Sequence, residues 1–361
     1  MKTGIVFHEL YLWHHTGNHA DYIPYGFPVE PLHHSESPDT KRRIKNLMDV
    51  SGLYNKLTAI SPRNATKDEI LLFHTDNHYE HIKSLNGSIT ADAGISAPTG
   101  IGSFDIALLS VGGVLEAIDH VIDGKVDNAY ALVRPPGHHA MPNKAMGFCI
   151  FGNAAIAGKH ALKNKGLSKI AFVDWDVHHG NGTEKIFYNR ADVLTISIHQ
   201  ERNYPTDSGH INDLGGPGAH LSNLNIPLFP GGGHSVYTHA FDRVVIPKLK
   251  KFQPDIVIVA CGFDASGVDP LSRMLCGSNT FAELTERLID YGDSGLVFAH
   301  EGGYSELHVP FCGHSVLQTL SRSAVIVEDP LANRINSQQP DIIFDNLQYE
   351  RIKEIADLHG L

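Results

Sequence analysis

The chain has few cysteines, no long apolar run and no excess of basic residues, and each absence excludes a class of protein. Four cysteines without a CxxC pair cannot build a disulfide framework, so we predict a reducing, cytoplasmic location. No apolar run reaches the roughly 20 residues that span a bilayer, so we expect no membrane partner. The formal net charge of -11 argues against nucleic-acid binding, which needs clustered Lys and Arg.

What the chain does contain is typical of a globular protein. Hydrophobic residues make up 42% and charged residues 19% of its 361 residues, enough to bury a large core. We find no low-complexity linker and no internal repeat, and therefore predict a single domain over residues 1–361. We predict two long surface loops in Pro- and Gly-rich stretches, Tyr22 to Pro38 and Gly215 to Gly233. We expect the first of them to form a wall at the entrance of a functional site.

Short β-rich runs alternate with stretches of helical periodicity. The predicted strands are Ala129 to Val133, Lys169 to Val173, Val193 to Ile198, Asp255 to Cys261 and Leu296 to His300. The predicted helices are Phe104 to Val121, Ala154 to Lys165, Tyr237 to Phe252, Ser278 to Tyr291 and a C-terminal helix over Asn346 to Leu361. This alternation predicts an α/β fold with a parallel sheet.

The most informative segment runs from Asp174 to Gly182 and follows a predicted buried strand. Because side chains alternate along a strand, we predict that Asp174, Asp176 and His178 lie on the same face at its carboxyl end. Two carboxylates and an imidazole before a glycine-rich turn indicate a metal site. An acidic strand-to-helix loop with a helix cap is the alternative.

A second predicted strand end supplies a third ligand for such a site. Asp264 follows the run that ends at Cys261, and with Asp176 and His178 it would leave metal positions open for water and substrate. Zinc is the metal that we favour, while iron(II) and cobalt remain open because two carboxylates make a hard ligand set.

Two further strand ends carry groups suited to acid–base chemistry. The pair His138-His139 follows Pro135-Pro136-Gly137, and one imidazole could act as a general base while the other needs a carboxylate, for which Asp174 is the candidate. Tyr304 follows two glycines, and its hydroxyl could donate to an oxyanion. A surface histidine pair and a core tyrosine are the alternatives.

Taken together, the motifs resemble those of the histone deacetylase family. They are RPPGHH at 134–139, GFC at 147–149, DWDVHHGNGT at 174–183, GFDA at 262–265 and EGGY at 301–304. The third is similar to the class II branch, and the whole pattern resembles the bacterial histone-deacetylase-like amidohydrolases. The resemblance implies the arginase/deacetylase fold, in which a central, mainly parallel eight-stranded sheet is flanked by helices.

The resemblance also implies roles for individual residues. It implies one Zn²⁺ held by Asp176, His178 and Asp264, with His139 as the main acid/base, His138 as its electrostatic partner backed by Asp174, Asn181 beside His139, and Tyr304 as the oxyanion donor. The substrate channel would be lined by Gly147, Phe148, Tyr204 and Leu271. A structural K⁺ would be bound around Asp174, Asp176, His178, Ser197 and Ile198.

Two channel positions depart from common patterns in the family. Tyr204 stands where Phe is commoner and adds a hydroxyl to the channel mouth. Leu271 stands near the place where polyamine-specific relatives carry an acidic residue, which argues against that kind of selectivity.

The function implied is zinc-dependent hydrolysis that removes acetyl or related acyl groups from acylated amines such as acetyl-lysine. An acetylpolyamine deacetylase and a catalytically weak, metal-bearing acyl-lysine binder remain alternatives. A ureohydrolase of the related arginase fold is disfavoured, because its two-metal site needs more Asp ligands. The substrate is expected to be the main partner, and relatives suggest a homo-oligomer, either a dimer or a tetramer.

Overall fold

The centre of the molecule is a sheet of eight strands that all run parallel. The structure is a computed structural model that describes residues 1–18 and 28–361. The strands are β1 Thr3–Val6, β2 Thr58–Ile60, β3 Asn128–Ala131, β4 Ile170–Asp174, β5 Val193–Gln200, β6 Asn223–Leu228, β7 Ile256–Cys261 and β8 Gly295–His300. Their order across the sheet is β6-β5-β4-β7-β8-β3-β1-β2. All carboxyl ends therefore meet at one edge, where α/β proteins bind their ligands.

Helices connect the strands and cover the sheet. They are α1 Asp39–Ser51, α2 Lys67–Ile70, α3 Asp76–Ser84, α4 Ser103–Ile122, α5 Asn153–Asn164, α6 Asn181–Phe187, α7 His234–Ala240, α8 Ile246–Phe252, α9 Ser278–Tyr291, α10 Val309–Ser321, α11 Ala332–Ser337 and α12 Ile342–His359. A π-helical turn, Phe241–Val245, joins α7 to α8. In the described part of the chain, no helix combines the length and the apolar character that crossing a membrane requires.

Both faces of the sheet are buried, which is why its strands appear in the sequence as apolar runs. Along β7, Val257 and Val259 belong to one hydrophobic cluster, whereas Ile256 and Ile258 belong to another. Successive side chains of a strand point to opposite faces, so each cluster fills the space between the sheet and one helical layer.

The five predicted strands are present, and three further strands complete the sheet. The prediction of a surface loop over Gly215 to Gly233 was wrong, because this stretch contains the buried edge strand β6. The pattern of β6 is obscured by Asn223 and Asn225, whose amides donate to the carboxylate of Glu184 on α6. Pro227 is tolerated there because the strand lies at the edge of the sheet.

The predicted entrance loop, Tyr22 to Pro38, is only partly described, since residues 22–27 lie outside the described part of the chain. In its described part, the ring of His34 packs edge-on against the ring of Phe148, with centroids 4.9 Å apart.

Candidate metal centre and active site

Three predicted ligands come together at the carboxyl ends of two neighbouring central strands. Asp176 and His178 follow β4, and Asp264 follows β7. His178 Nδ1 lies 3.1 Å from Asp176 Oδ1 and 3.0 Å from Asp264 Oδ2, and all three residues are buried. Their donor atoms lie within 4.8 Å of one another, the arrangement expected of groups that share one metal ion.

The way in which the chain reaches this arrangement differs from the predicted one. Strand β4 ends at Asp174, so alternation along a strand does not explain the positions of Asp176 and His178. Two side chains instead shape a turn: Asp174 Oδ1 accepts from the Asp176 N–H at 3.1 Å, and Asp176 Oδ1 accepts from the His178 N–H at 2.9 Å. As a result Asp174 faces His138. It does not belong to the group formed by Asp176, His178 and Asp264, which we call the ligand cluster.

The electrostatics of the cluster fit a divalent cation. Burial raises the pKa of Asp264, and so does the neighbouring Asp176 carboxylate, because two negative charges in a buried site repel each other. Burial lowers the pKa of His178, but Asp264 and Asp176 outweigh burial and raise it well above its ordinary value. A divalent cation held by these three groups would remove the repulsion, and carboxylate oxygens with an imidazole nitrogen are suitable ligands for zinc.

The two histidines of the tandem differ because their partners differ. Their ring centroids are 3.9 Å apart; His138 Nδ1 lies 3.0 Å from Asp174 Oδ2, whereas His139 Nδ1 lies 2.7 Å from Asn181 Oδ1. Burial opposes charge on His138, but the Asp176 and Asp174 carboxylates outweigh it and raise the pKa to about 10. Burial lowers the pKa of His139 well below its ordinary value, and the charge of His138 lowers it further.

The partner of His139 also selects its tautomer. An amide oxygen only accepts hydrogen bonds, so Asn181 Oδ1 requires the proton of His139 to sit on Nδ1. His139 Nε2 then carries a free lone pair. An imidazole with a proton-accepting nitrogen thus lies beside one whose cationic form two carboxylates favour.

Tyr304 reaches the ligand cluster through the two glycines that follow β8. A Cβ atom built on Gly302 would lie 2.3 Å from Asp264 Oδ2, 2.7 Å from Asp176 Oδ2 and 3.0 Å from the Tyr304 hydroxyl oxygen. These three groups thus converge on one point of the backbone that only glycine can occupy. Burial raises the pKa of Tyr304 well above its ordinary value, and Asp264 and Asp176 raise it further, so the hydroxyl stays a proton donor.

A cavity of about 260 Å³ leads to these groups. It is lined by Ser96, His139, Gly147, Phe148, His178, Asn203, Tyr204, Leu271 and Tyr304. The set includes all four predicted channel residues, and the aromatic rings of Phe148 and Tyr204 provide apolar walls. Tyr204 lies edge-on to His139, with ring centroids 4.9 Å apart. A cavity with apolar walls and acid–base groups in its lining suits a linear acyl chain.

The predicted structural-cation residues lie at the adjoining ends of β4 and β5. Asp174 pairs with Ser197 in the register of the two strands, and Ile198 is the next residue of β5. Binding of K⁺ at this place stays a prediction.

Sequence reasoning missed two buried carboxylates that hold the active-site loops. Glu301 Oε2 accepts from the N–H groups of Gly137 at 2.6 Å and His138 at 3.0 Å. Asp269 accepts from the N–H groups of Leu271, Tyr304 and Ser305. Glu301 was visible in the EGGY motif and Asp269 lies five positions after Asp264, but nothing in the sequence shows which backbone groups a carboxylate will meet.

A third missed feature is a buried ion cluster beneath the RPPGHH turn. The guanidinium of Arg134 donates to both carboxylate oxygens of Glu36, at 2.8 and 3.0 Å, and Lys41 Nζ lies 3.0 Å from the same carboxylate. All three side chains are almost fully buried. The cluster anchors the segment that precedes His138 to the N-terminal part of the chain.

Comparison with known proteins gives a consistent result. The family model for the histone deacetylase domain matches residues 34–320. The chain is 45% identical to a histone deacetylase-like amidohydrolase of Pseudomonas aeruginosa, over all of this chain and 97% of that protein. It is 34% identical to a probable deacetylase of Archaeoglobus fulgidus, over 89% of this chain and 87% of that protein.

A solved structure supports the same assignment. The crystal structure of the HDA15 HD domain superimposes with a TM-score of 0.85 at 30% identity, covering 99% of this chain and 96% of that one. This match confirms the predicted fold, an eight-stranded parallel sheet flanked by helices. The sequence match over most of the chain and the shared fold together establish that this chain belongs to the histone deacetylase family.

Proposed function

We propose that the protein is a zinc-dependent deacetylase that removes acetyl groups from acylated amines, with acetyl-lysine as the preferred substrate class. Family membership supports amide hydrolysis in general. One observation carries the finer proposal: a cavity of about 260 Å³ has His139, His178 and Tyr304 together in its lining, beside the Asp176 and Asp264 carboxylates.

The metal would be held by Asp176, His178 and Asp264. When bound, a zinc ion would supply a Lewis acid next to the acyl carbonyl. A structural K⁺ near Asp174 and Ser197 is part of the same proposal.

The proton transfers are assigned to the tandem histidines. His139 Nε2 takes a proton from the attacking water and later returns it to the leaving amine. Asn181 keeps the other proton on Nδ1 throughout. His138, paired with Asp174, stays cationic and stabilises the negative charge that develops during attack.

Tyr304 is assigned the remaining task. Its hydroxyl lies beside the Asp176 and Asp264 carboxylates and donates to the carbonyl oxygen as that oxygen becomes negative. A single donor of this kind is worth roughly a hundredfold or more in rate.

The preference for acetyl-lysine over an acetylpolyamine rests on the charge of the channel. Of the described residues that line the cavity, Ser96, Asn203 and Leu271 are uncharged and none is a carboxylate. A polycationic substrate would gain no ion pair from them, whereas a lysine side chain of a peptide presents only its neutral acylated stem.

The test compares kcat/KM of the zinc-loaded protein on an acetyl-lysine peptide, N8-acetylspermidine and a trifluoroacetyl-lysine amide. We expect turnover of the peptide and the activated amide, with weaker turnover of the polyamine. Preference for acetylspermidine would reverse the substrate assignment. No turnover of any substrate by protein with confirmed zinc would leave an acyl-lysine binder. A Tyr304→Phe variant, which keeps all three metal ligands, controls for contaminating activity.

A further inference from the structure

A buried carboxylate that belongs neither to the ligand cluster nor to the acid–base pair links the channel wall to Tyr304. Asp269 Oδ2 accepts from the N–H groups of Tyr304 at 2.8 Å and Ser305 at 3.2 Å, and Oδ1 accepts from the Leu271 N–H at 2.9 Å. The residue is only 8% exposed. Its carboxyl group thus accepts from three backbone N–H donors in two segments of the site, and a buried carboxyl group that is hydrogen-bonded in this way restrains both segments.

The segment that Asp269 holds has little to fix it from within. Tyr304 follows Gly302 and Gly303, and Gly303 adopts φ of 121°, which favours glycine. Two successive glycines restrict the direction of the chain less than other residues do. The hydroxyl of Tyr304 nevertheless has to stay beside the ligand carboxylates to act on the carbonyl oxygen. Contacts from outside the segment therefore hold the hydroxyl in place: Gly302 is bound by Asp176 Oδ2 and by the Phe263 N–H, and Asp269 is the side chain that binds the backbone of Tyr304 itself.

Through the Leu271 N–H, the same carboxyl group is linked to a second part of the cavity lining. The Leu271 carbonyl oxygen accepts from Asn203 Nδ2 at 3.1 Å. Asn203 precedes Tyr204 in the loop that follows β5, called the wall loop below. Leu271, Asn203 and Tyr304 all line the cavity. A continuous run of hydrogen bonds thus connects the wall loop after β5, through Leu271 and Asp269, to the backbone of Tyr304.

We propose that Asp269 is a positioning residue of the deacetylase reaction. By accepting hydrogen bonds from the N–H groups of Tyr304 and Ser305, it holds the Tyr304 hydroxyl at the acyl carbonyl. The inference rests on the function proposed above. Asp269 itself touches neither substrate nor metal in this scheme. Its loss therefore weakens transition-state stabilisation more than substrate binding, and lowers kcat with little change in KM.

The test is the Asp269→Asn variant, in which one of the two accepting oxygens becomes an amide nitrogen that can only donate. We expect kcat on an acetyl-lysine peptide to fall by roughly tenfold to a hundredfold, the range for misplacement of a catalytic group by up to about 1 Å. KM should stay within about twofold, since uniform binding is untouched. Turnover of a trifluoroacetyl-lysine amide should fall clearly less, because its more electrophilic carbonyl depends less on the Tyr304 donor.

A double-mutant cycle with Tyr304→Phe separates positioning from general damage. If Asp269 acts through the Tyr304 hydroxyl, Asp269→Asn should cause no further loss once that hydroxyl is gone. The cycle is measured on the trifluoroacetyl amide, with zinc content and thermal unfolding recorded for each variant. Should Asp269→Asn fail to fold, Asp269→Glu, which keeps the charge but lengthens the side chain, replaces it in the cycle.

Asp255→Asn is the matched control. Asp255 Oδ2 also accepts two backbone N–H groups, from Ser168 at 2.7 Å and Lys169 at 2.8 Å, but at the opposite end of β7. Its loss should leave kcat unchanged.

Losses that add in the Tyr304→Phe background, or an Asp269→Asn variant with the kcat of the unmodified protein, would overturn the positioning role while the deacetylase function stands. Absence of turnover by the unmodified protein would instead overturn the proposed function, and this inference with it.

Discussion

At the residue scale, two neighbouring histidines of the site differ in their hydrogen-bond partners and therefore in their protonation. His138 and His139 are neighbours in sequence and in space, yet one faces the Asp174 carboxylate and the other the Asn181 amide. A carboxylate stabilises the cation, whereas an amide oxygen stabilises only the N–H tautomer. The identity of the partner, and not of the histidine, therefore decides which imidazole is free to accept a proton.

This difference leads to a prediction for His139→Ala. We expect kcat on an acetyl-lysine peptide to fall by roughly a hundredfold or more, because the general base is lost. Zinc content should be unchanged, because Asp176, His178 and Asp264 are intact, and metal analysis of the purified variant measures it. His81→Ala, at an exposed position on α3, serves as the control and should keep full activity. Near-normal turnover by His139→Ala would contradict the assignment of His139 as the general base.

At the scale of elements, the turn at the start of the GFC motif shapes the cavity. Gly147 has φ of 54°, and a Cβ atom built there would lie 2.5 Å from His139 Cδ2 and 2.7 Å from Tyr204 Cε1. The backbone therefore approaches the rings of His139 and Tyr204 as closely as a residue without a side chain allows.

Gly147→Ala should consequently reduce kcat/KM on the acetyl-lysine peptide by roughly tenfold or more, because the new methyl group displaces the His139 ring. Gly166→Ala is the matched control: Gly166 also has a left-handed φ, of 75°, but no atom lies within 4 Å of its built Cβ. Both variants should lose some thermal stability through backbone strain, and only Gly147→Ala should lose activity. Equal activity of the two variants would mean that the channel tolerates the methyl group.

Elements also show where sequence reasoning succeeds and fails. Strands buried on both faces, such as β4 and β7, were predictable because a short apolar run bounded by polar residues is typical of a strand covered by helices on either side. The edge strand β6 was not, because Asn223 and Asn225 look like loop residues until the carboxylate of Glu184 is known to meet them. A polar partner distant in sequence leaves no local pattern.

The same contrast holds for the candidate site. The chemical types of Asp176, His178 and Asp264 at strand ends predicted that these residues lie together, which the structure confirms. The reason given was wrong, since a turn and not strand alternation positions Asp176 and His178. Asp269 and Glu301 could not be assigned roles, because what they bind is backbone, which is the same at every position.

At the scale of the whole molecule, the ligand cluster joins distant parts of the chain. Asp176 and Asp264 are separated by the whole of β5, β6 and the helices between them, and meet only when β4 and β7 pair. A metal at this place would bind the folded state and not the unfolded chain, and would therefore stabilise the fold.

Removal of zinc with a chelator should accordingly lower the midpoint of thermal unfolding by several °C, since a ligand at about a hundred times its Kd contributes about 2.7 kcal/mol. Readdition of zinc should restore the midpoint, as followed by differential scanning fluorimetry. In Asp264→Asn the chelator should have little further effect. If neither chelator nor zinc changes the midpoint of thermal unfolding, the cluster does not bind a metal.

The residues of the predicted metal centre and the residues that line the cavity follow different strands of the sheet. Asp176, His178 and Asp264 follow β4 and β7 in the middle of the sheet, whereas Asn203 and Tyr204 belong to the loop after β5, one strand nearer the edge. Loops at the periphery can diverge in length and composition without disturbing the pairing that brings the ligands together. Substrate choice can therefore evolve while the hydrolytic chemistry is retained, and one scaffold can give rise to enzymes for many acylated amines.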